Sequence, residues 1–199
     1  LNAGSGEHFE NLNTFNVLAK KLRTEKMKKG AIDFEQDEVK FVLDEKGKPI
    51  KVIKKQRLDT HKLVEEFMLL ANREVAEFIF KAPGAKKAIS LYRIHDTPDQ
   101  DKIAQLSIFL NALGHTLDIK GKQVSPQDIA AMLAKIEGKA EEALIKTATI
   151  RSMAKAIYST KNIGHFGLAF EYYTHFTSPI RRYADLMVHR VLGNILSGN

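Results

Sequence analysis

Cysteine and tryptophan are missing altogether from these 199 residues. With no thiol there is no disulfide framework, no cysteine nucleophile and no thiolate metal site. A reducing cytoplasm is the compartment this composition leads us to expect. Proline (5) and glycine (12) are too sparse to form linkers or low-complexity tracts, and they punctuate periodic segments instead. No window approaches the ~18 uninterrupted apolar residues of a membrane-crossing helix. Leu1 opens neither an n-region nor an h-region, so the reading expects no signal peptide and a piece of a longer protein. Positive charge is what the chain has in excess: 31 Lys and Arg against 24 Asp and Glu, a net +7. The 44% hydrophobic content excludes disorder as the main state. The length allows one generous domain or two small ones. The charge points to an anionic partner, nucleic acid ahead of a membrane.

Apolar Phe9, Leu12, Phe15, Leu18 and Leu22 predict a helix over 9–29. Its second half carries six cations before Gly30, a face either solvated and dipole-friendly or aligned along an anionic chain. Residues 31–57 read as a β-hairpin, with strands at 31–35, 39–43 and 50–53 and a turn at Glu45-Lys46-Gly47-Lys48. A long helix follows from Asp59 or Thr60 to about Lys81, stopped by Pro83-Gly84, then a short strand at 88–94. Thr97-Pro98, Ser125-Pro126 and Ser178-Pro179 each predict a hydroxyl N-cap with proline at the first helical position. A further helix is expected over 139–158, and loop plus strand over 164–176. The fold class is α+β, mostly helical with a small antiparallel sheet.

The run from Tyr173 to Arg190 concentrates the chemistry. If Ser178 caps the last helix, Arg181 and Arg182 sit in its first turn, where a cation costs ~0.3–1 kcal/mol. An anion held between the guanidiniums and the free N–H groups answers that cost, and a phosphodiester matches the planar fork of arginine. The alternative is structural: Arg182 pairs with Asp185 at i, i+3, and Arg181 with a carboxylate elsewhere. Asp185 and His189, at i, i+4, suit either a metal or a structural hydrogen bond.

The run His175-Phe176-Thr177-Ser178-Pro179-Ile180-Arg181-Arg182-Tyr183-x-Asp185-Leu186-x-x-His189-Arg190 resembles the signature of the ribonuclease II/ribonuclease R family, the RNB exoribonucleases. Gly30–Phe34, Asp59–Asn72, Leu91–Pro98 and Gly164–Leu168 resemble the same family in the same order, nearer the ribonuclease R branch. The resemblance implies processive 3′-to-5′ hydrolysis of single-stranded RNA to nucleoside 5′-monophosphates, in a channel ending at two magnesium ions. The family's metal-binding aspartates lie upstream of the hairpin. The chain is therefore expected to be the C-terminal part of one RNB catalytic domain, without magnesium ligands or the flanking cold-shock and S1 modules, and inactive alone. The parent protein is expected to be monomeric, cytoplasmic and not membrane-bound.

Carried over by position, Arg181 matches the family's arginine against the scissile phosphate, the catalytic candidate here. Thr177, Ser178, Arg182 and Tyr183 are candidates for RNA-backbone contacts, with capping by Ser178 and pairing of Arg182 with Asp185 as structural alternatives. The family places a glutamate of the 59–81 helix near the terminal nucleotide, and either Glu65 or Glu66 fills that role. Phe34 matches an aromatic that stacks on the terminal base, with burial in the core as the alternative; stacking tolerates any base. Asp33, Glu35 and Asp37 are assigned to the hairpin surface. Tyr172, Tyr173, His165 and His175 are core or channel wall, and Asn72 is structural or a backbone contact. Two other readings stand beside the exonuclease. One is a non-catalytic RNA-binding module or inactive paralogue. The other is a metal phosphodiesterase built on Asp185, His189 and His175, for which no compact ligand motif exists.

Overall fold

The computed structural model describes residues 4–32, 39–54, 58–82 and 90–198. Phe34, Asp33, Glu35, Asp37 and the Pro83-Gly84 stop lie outside the described residues, as do parts of the strands expected at 31–35 and 88–94. Helix α1 (Phe9–Lys28) leads to an antiparallel hairpin of β1 (Val39–Leu43) and β2 (Pro49–Lys54), then to α2 (Asp59–Lys81). The short strand β3 (Tyr92–Ile94) precedes three helices, α3 (Gln100–Ala112), α4 (Pro126–Ile136) and α5 (Glu142–Ser152). Strand β4 (Ile157–Ser159), a 3₁₀ turn at Phe166–Leu168 and helix α6 (Tyr183–Leu196) complete the chain. Among the described residues, no helix is long and apolar enough to cross a membrane.

The main core lies among α3, α4 and α5. Ile103, Leu106 and Leu110 of α3 meet Ile129, Met132, Leu133 and Ile136 of α4, with Ile145 of α5 between them. Both sets follow the spacing that puts apolar side chains on one helical face. Gly30, at φ +94°, ends α1 against this core. A Cβ there would lie 2.7 Å from the Gln127 side chain, whose amide donates to the Lys29 carbonyl (2.6 Å). Glycine is what lets α1 approach the start of α4. A smaller cluster joins Ala76 of α2 to Tyr92 and Ile94 of β3, with Tyr172 against them.

Ser125 caps α4 as its sequence predicts, accepting from the Asp128 N–H while the Asp128 carboxylate accepts from Ser125. The other two hydroxyl–proline starts do not hold. Helix α3 begins at Gln100 under Asp99, whose carboxylate accepts from the N–H groups of Asp101 (2.9 Å) and Lys102 (3.3 Å). Asp99 reaches the free N–H groups of the first turn, whereas Thr97 donates its own N–H to Asp96. Helix α6 begins at Tyr183, because Arg182 is extended (φ −127°, ψ 115°) and breaks any helical run from Ser178. The helix expected over 139–158 is α5 alone. Beyond it, residues 157–159 pair with β3, setting Arg93 opposite Tyr158 and Ile94 opposite Ile157. That pairing partner, distant in sequence, outweighs local helix propensity.

Candidate nucleic-acid interface

Two helices hold the segment before α6 by its backbone. The Asn72 side chain of α2 is buried and its Oδ1 accepts from the N–H groups of Phe176 (2.9 Å) and Thr177 (3.2 Å). Its Nδ2 donates to the Tyr173 hydroxyl (3.3 Å). On α6, His189 stacks on Phe176 (centroids 4.0 Å, 11° between planes) and places Nε2 2.9 Å from the Phe176 carbonyl oxygen. That acceptor requires the proton on Nε2. Asp185, fully buried, accepts from the Ser178 N–H (2.8 Å) and from Arg182 Nη2 (2.9 Å). Arg182 Nε lies 2.8 Å from Asp185 Oδ1, close enough for an ion pair but off hydrogen-bond geometry. A buried carboxylate needs such partners.

The Ser178 carbonyl then accepts from the N–H groups of Arg181 (3.3 Å) and Arg182 (3.1 Å), closing a turn over Pro179 and Ile180. Ile180 is fully exposed at its tip, Arg181 is exposed, and Tyr183 is 69% exposed just beyond. Asp185 thus answers the charge of Arg182 at the start of α6, and no carboxylate among the described residues pairs with Arg181. Thr177 is half-buried, and its Oγ1 is itself buried and has no hydrogen-bond partner among the described residues, so the hydroxyl is not presented to a strand as the sequence led us to expect. Ser178 is half-buried and serves through its backbone rather than as a helix cap.

Behind the turn lies a group of neutral rings. Burial, aided by the guanidinium of Arg182, holds His175 down to about 4. Burial, aided by His95, holds His165 at about 3. His95 is also lowered by burial. It donates from Nε2 to the Ala154 carbonyl (2.9 Å) and accepts the Gly167 N–H at Nδ1 (3.0 Å). A Cβ on Gly167 would fall 2.9 Å from that Nδ1, so only glycine allows this approach.

Five sequence-predicted residues, Thr177, Ser178, Arg181, Arg182 and Tyr183, meet in this turn and the first residue of α6. Glu65 and Glu66 lie earlier on α2 than Asn72, away from this turn in sequence. Glu66, 5% exposed, turns toward α1 and pairs with Lys26 at 2.5 Å, while Glu65 is half-buried. The Asp185–His189 spacing serves the backbone of residues 176–178, not a metal. Among the described residues, no three His, Asp or Glu side chains come together to hold a metal ion. Asn72, read from the sequence as structural or a backbone contact, is bonded within the protein and anchors the segment before α6. Its signal was a carboxamide on the face of α2 that also buries Ala76, a position that demands a polar partner.

Residues 2–198 match the RNB domain. The chain belongs to the RNB domain family. This RNB chain is 44% identical over 183 residues to ribonuclease R of Thermotoga maritima, covering 92% of the chain and 25% of that protein. It is 39% identical over 191 residues to ribonuclease R of Escherichia coli K12, covering 96% of the chain and 22% of that protein. The chain thus spans about a quarter of the length of these curated relatives. Among solved structures, Mycoplasma genitalium RNase R in complex with ribose-methylated single-stranded RNA superposes with a TM-score of 0.87 at 29% identity. That match covers 97% of the RNB chain and 30% of the other. Yeast Ssd1, a pseudonuclease, shares the fold at a TM-score of 0.70 and 20% identity, covering 98% of the chain and 24% of Ssd1.

Proposed function

We propose that the protein carrying this chain hydrolyses single-stranded RNA processively from its 3′ end and releases nucleoside 5′-monophosphates. The observation that carries this reading is Arg181, an exposed guanidinium that no carboxylate among the described residues meets, on a turn fixed by Asn72, Asp185 and His189. A guanidinium held there is placed to neutralise the charge that builds on a phosphoryl group as its P–O bond breaks. Preorganisation matters because a donor that needs no rearrangement helps the transition state most. Tyr183, exposed two residues on from Arg181, is the neighbouring RNA contact, while Thr177, with its hydroxyl buried and its N–H held by Asn72, and Arg182, held by Asp185, fix the turn. Phe34 and one of Glu65 and Glu66 complete the proposed contacts to the terminal nucleotide.

Two magnesium ions, which activate the attacking water and stabilise the leaving oxygen in such hydrolyses, are the proposed cofactor. The described residues do not form a site for them, and their ligands are assigned outside this chain. The chain is proposed as the C-terminal portion of the catalytic domain, inactive alone, in a monomeric cytoplasmic protein. Ssd1 carries the same fold as a pseudonuclease, which keeps an RNA-binding module without catalysis as the second reading.

The test is product analysis. The full-length protein with magnesium and single-stranded RNA is expected to yield nucleoside 5′-monophosphates, and the isolated 199-residue chain none. RNA retention by the full-length protein with no mononucleotide released would favour the binding module. Mononucleotides from the isolated chain would overturn the assignment of the metal ligands.

A further inference from the structure

Arg93 is a second guanidinium that no carboxylate meets among the described residues. The alternation of β3 sends Tyr92 and Ile94 into the core beside Ala76 and leaves Arg93 half-buried on the other face. Directly opposite on β4 stands Tyr158, and the Arg93 guanidinium lies 4.8 Å above its ring centroid. The Tyr158 hydroxyl is 2.7 Å from His175 Nδ1, and the His175 ring packs edge-on against Tyr158 (5.6 Å) and Tyr173 (5.8 Å). A guanidinium stacked on a tyrosine is oriented without spending its N–H donors, all five of which lie in its plane. An arginine fixed by a carboxylate loses that capacity, as Arg182 does to Asp185.

We propose that Arg93, seated on Tyr158, is a phosphate-binding position for single-stranded RNA that takes a second backbone phosphate beside the one at Arg181. The inference rests on the RNA reading above. His175 ties the two positions together: it lies on the segment that feeds the turn, and Arg182, Arg93 and Arg181 all disfavour the charged form of its imidazole, with Asp185 opposing them. With Arg182 offset by Asp185, Arg93 and Arg181 remain as positive charges that no carboxylate among the described residues offsets, and an oxyanion is the partner that neutralises them. The planar fork of arginine is suited to a phosphodiester, and the Tyr158 ring beneath the guanidinium covers one of its faces. Nothing in this arrangement reads a base, so the contact is indifferent to sequence.

The experiment measures binding of the full-length protein to uridine and adenosine homopolymers in EDTA, so that no turnover competes, across a salt series. Arg93→Ala is expected to weaken binding about tenfold or more on both homopolymers. The slope of log K against log salt should fall by about 0.7, one single-strand phosphate contact. Arg93→Lys should keep the salt slope and recover only part of the affinity, because an ammonium lacks the fork. Lys102→Ala, which removes one exposed charge on α3, controls for net charge and should match the wild type. Arg93→Gln, neutral and nearly as long, substitutes for Arg93→Ala if circular dichroism shows that variant unfolded. Unchanged affinity and salt slope in the folded neutral variant would overturn the inference while the RNA reading stands. A wild-type protein that does not bind the homopolymers at all would overturn both.

Discussion

Asn72 and Asp185 stand on different helices and grip successive residues of one tripeptide. The carboxamide on α2 takes the N–H groups of Phe176 and Thr177, and the carboxylate on α6 takes that of Ser178. The turn that presents Arg181 therefore depends on α2 and α6 keeping their relative placement. Asn72→Leu leaves buried N–H groups without an acceptor, at about 1–3 kcal/mol. Urea denaturation should register that loss. Turnover by the full-length protein should fall more than its RNA affinity, since Arg181 is displaced rather than deleted.

Asp185→Asn strips the negative charge from a buried pair and leaves the Arg182 guanidinium without a counter-ion, expected to cost about 3–5 kcal/mol. Combining Asp185→Leu with Arg182→Met removes both charges and should cost less than the two single changes added together. A double-mutant cycle measured by chemical denaturation gives the coupling. Simple additivity would show that the two side chains do not stabilise each other.

Arg181→Ala should separate chemistry from binding. Single-turnover rates of the full-length protein are expected to drop by about two to three orders of magnitude, typical of a lost transition-state donor. The dissociation constant for RNA should change far less. Equal losses in both would make Arg181 a plain phosphate anchor.

Stability should fall as the solution is acidified below pH 6.5. His165 and His175 bind a proton near 6.5 in the unfolded chain but only at about 3 and about 4 when folded. The unfolded state thus binds more protons through this window, and acid favours it. Stability is fully present above 6.5, declines through the window, and levels off for His175 before His165. Denaturation midpoints from pH 7.5 to 4 check the slope, and His165→Phe should flatten it.

Glu66→Gln should loosen α1 from α2. Lys26 and Glu66 are nearly buried where the two helices pack, and Phe67, next to Glu66, meets Phe15 of α1 edge-on. With the carboxylate gone, Lys26 keeps a poorly solvated charge, and amide exchange in α1 should quicken relative to α4.

The helices were legible because their evidence is local. The stripe Ile129, Met132, Leu133, Ile136 and the reciprocal cap of Ser125 with Asp128 each lie within a few turns of chain. The turn at Ser178 was misread because its deciding partner, Asp185, sits seven residues on and binds both the Ser178 N–H and the side chain of Arg182, which is extended ahead of α6. The hydroxyl–proline pattern at Thr97 lost to Asp99 for a similar reason. Strand β4 was missed because only β3, some 65 residues earlier along the chain, makes residues 157–159 extended. Of the site, the residues of the turn were visible as a motif, whereas Asn72, Arg93 and Tyr158 are brought to it by tertiary contacts alone.

The backbone on both sides of Arg181 is already spoken for: Ser178 through its N–H and carbonyl, Arg182 through its N–H and side chain. A phosphate arriving at the tip therefore freezes little more than the side-chain rotors of Arg181 itself. The entropy lost on capture is confined to about one long side chain rather than a loop. A strand that advances one nucleotide at a time must be released and recaptured at each step. A grip that costs so little disorder to form suits that repeated cycle of letting go and taking hold.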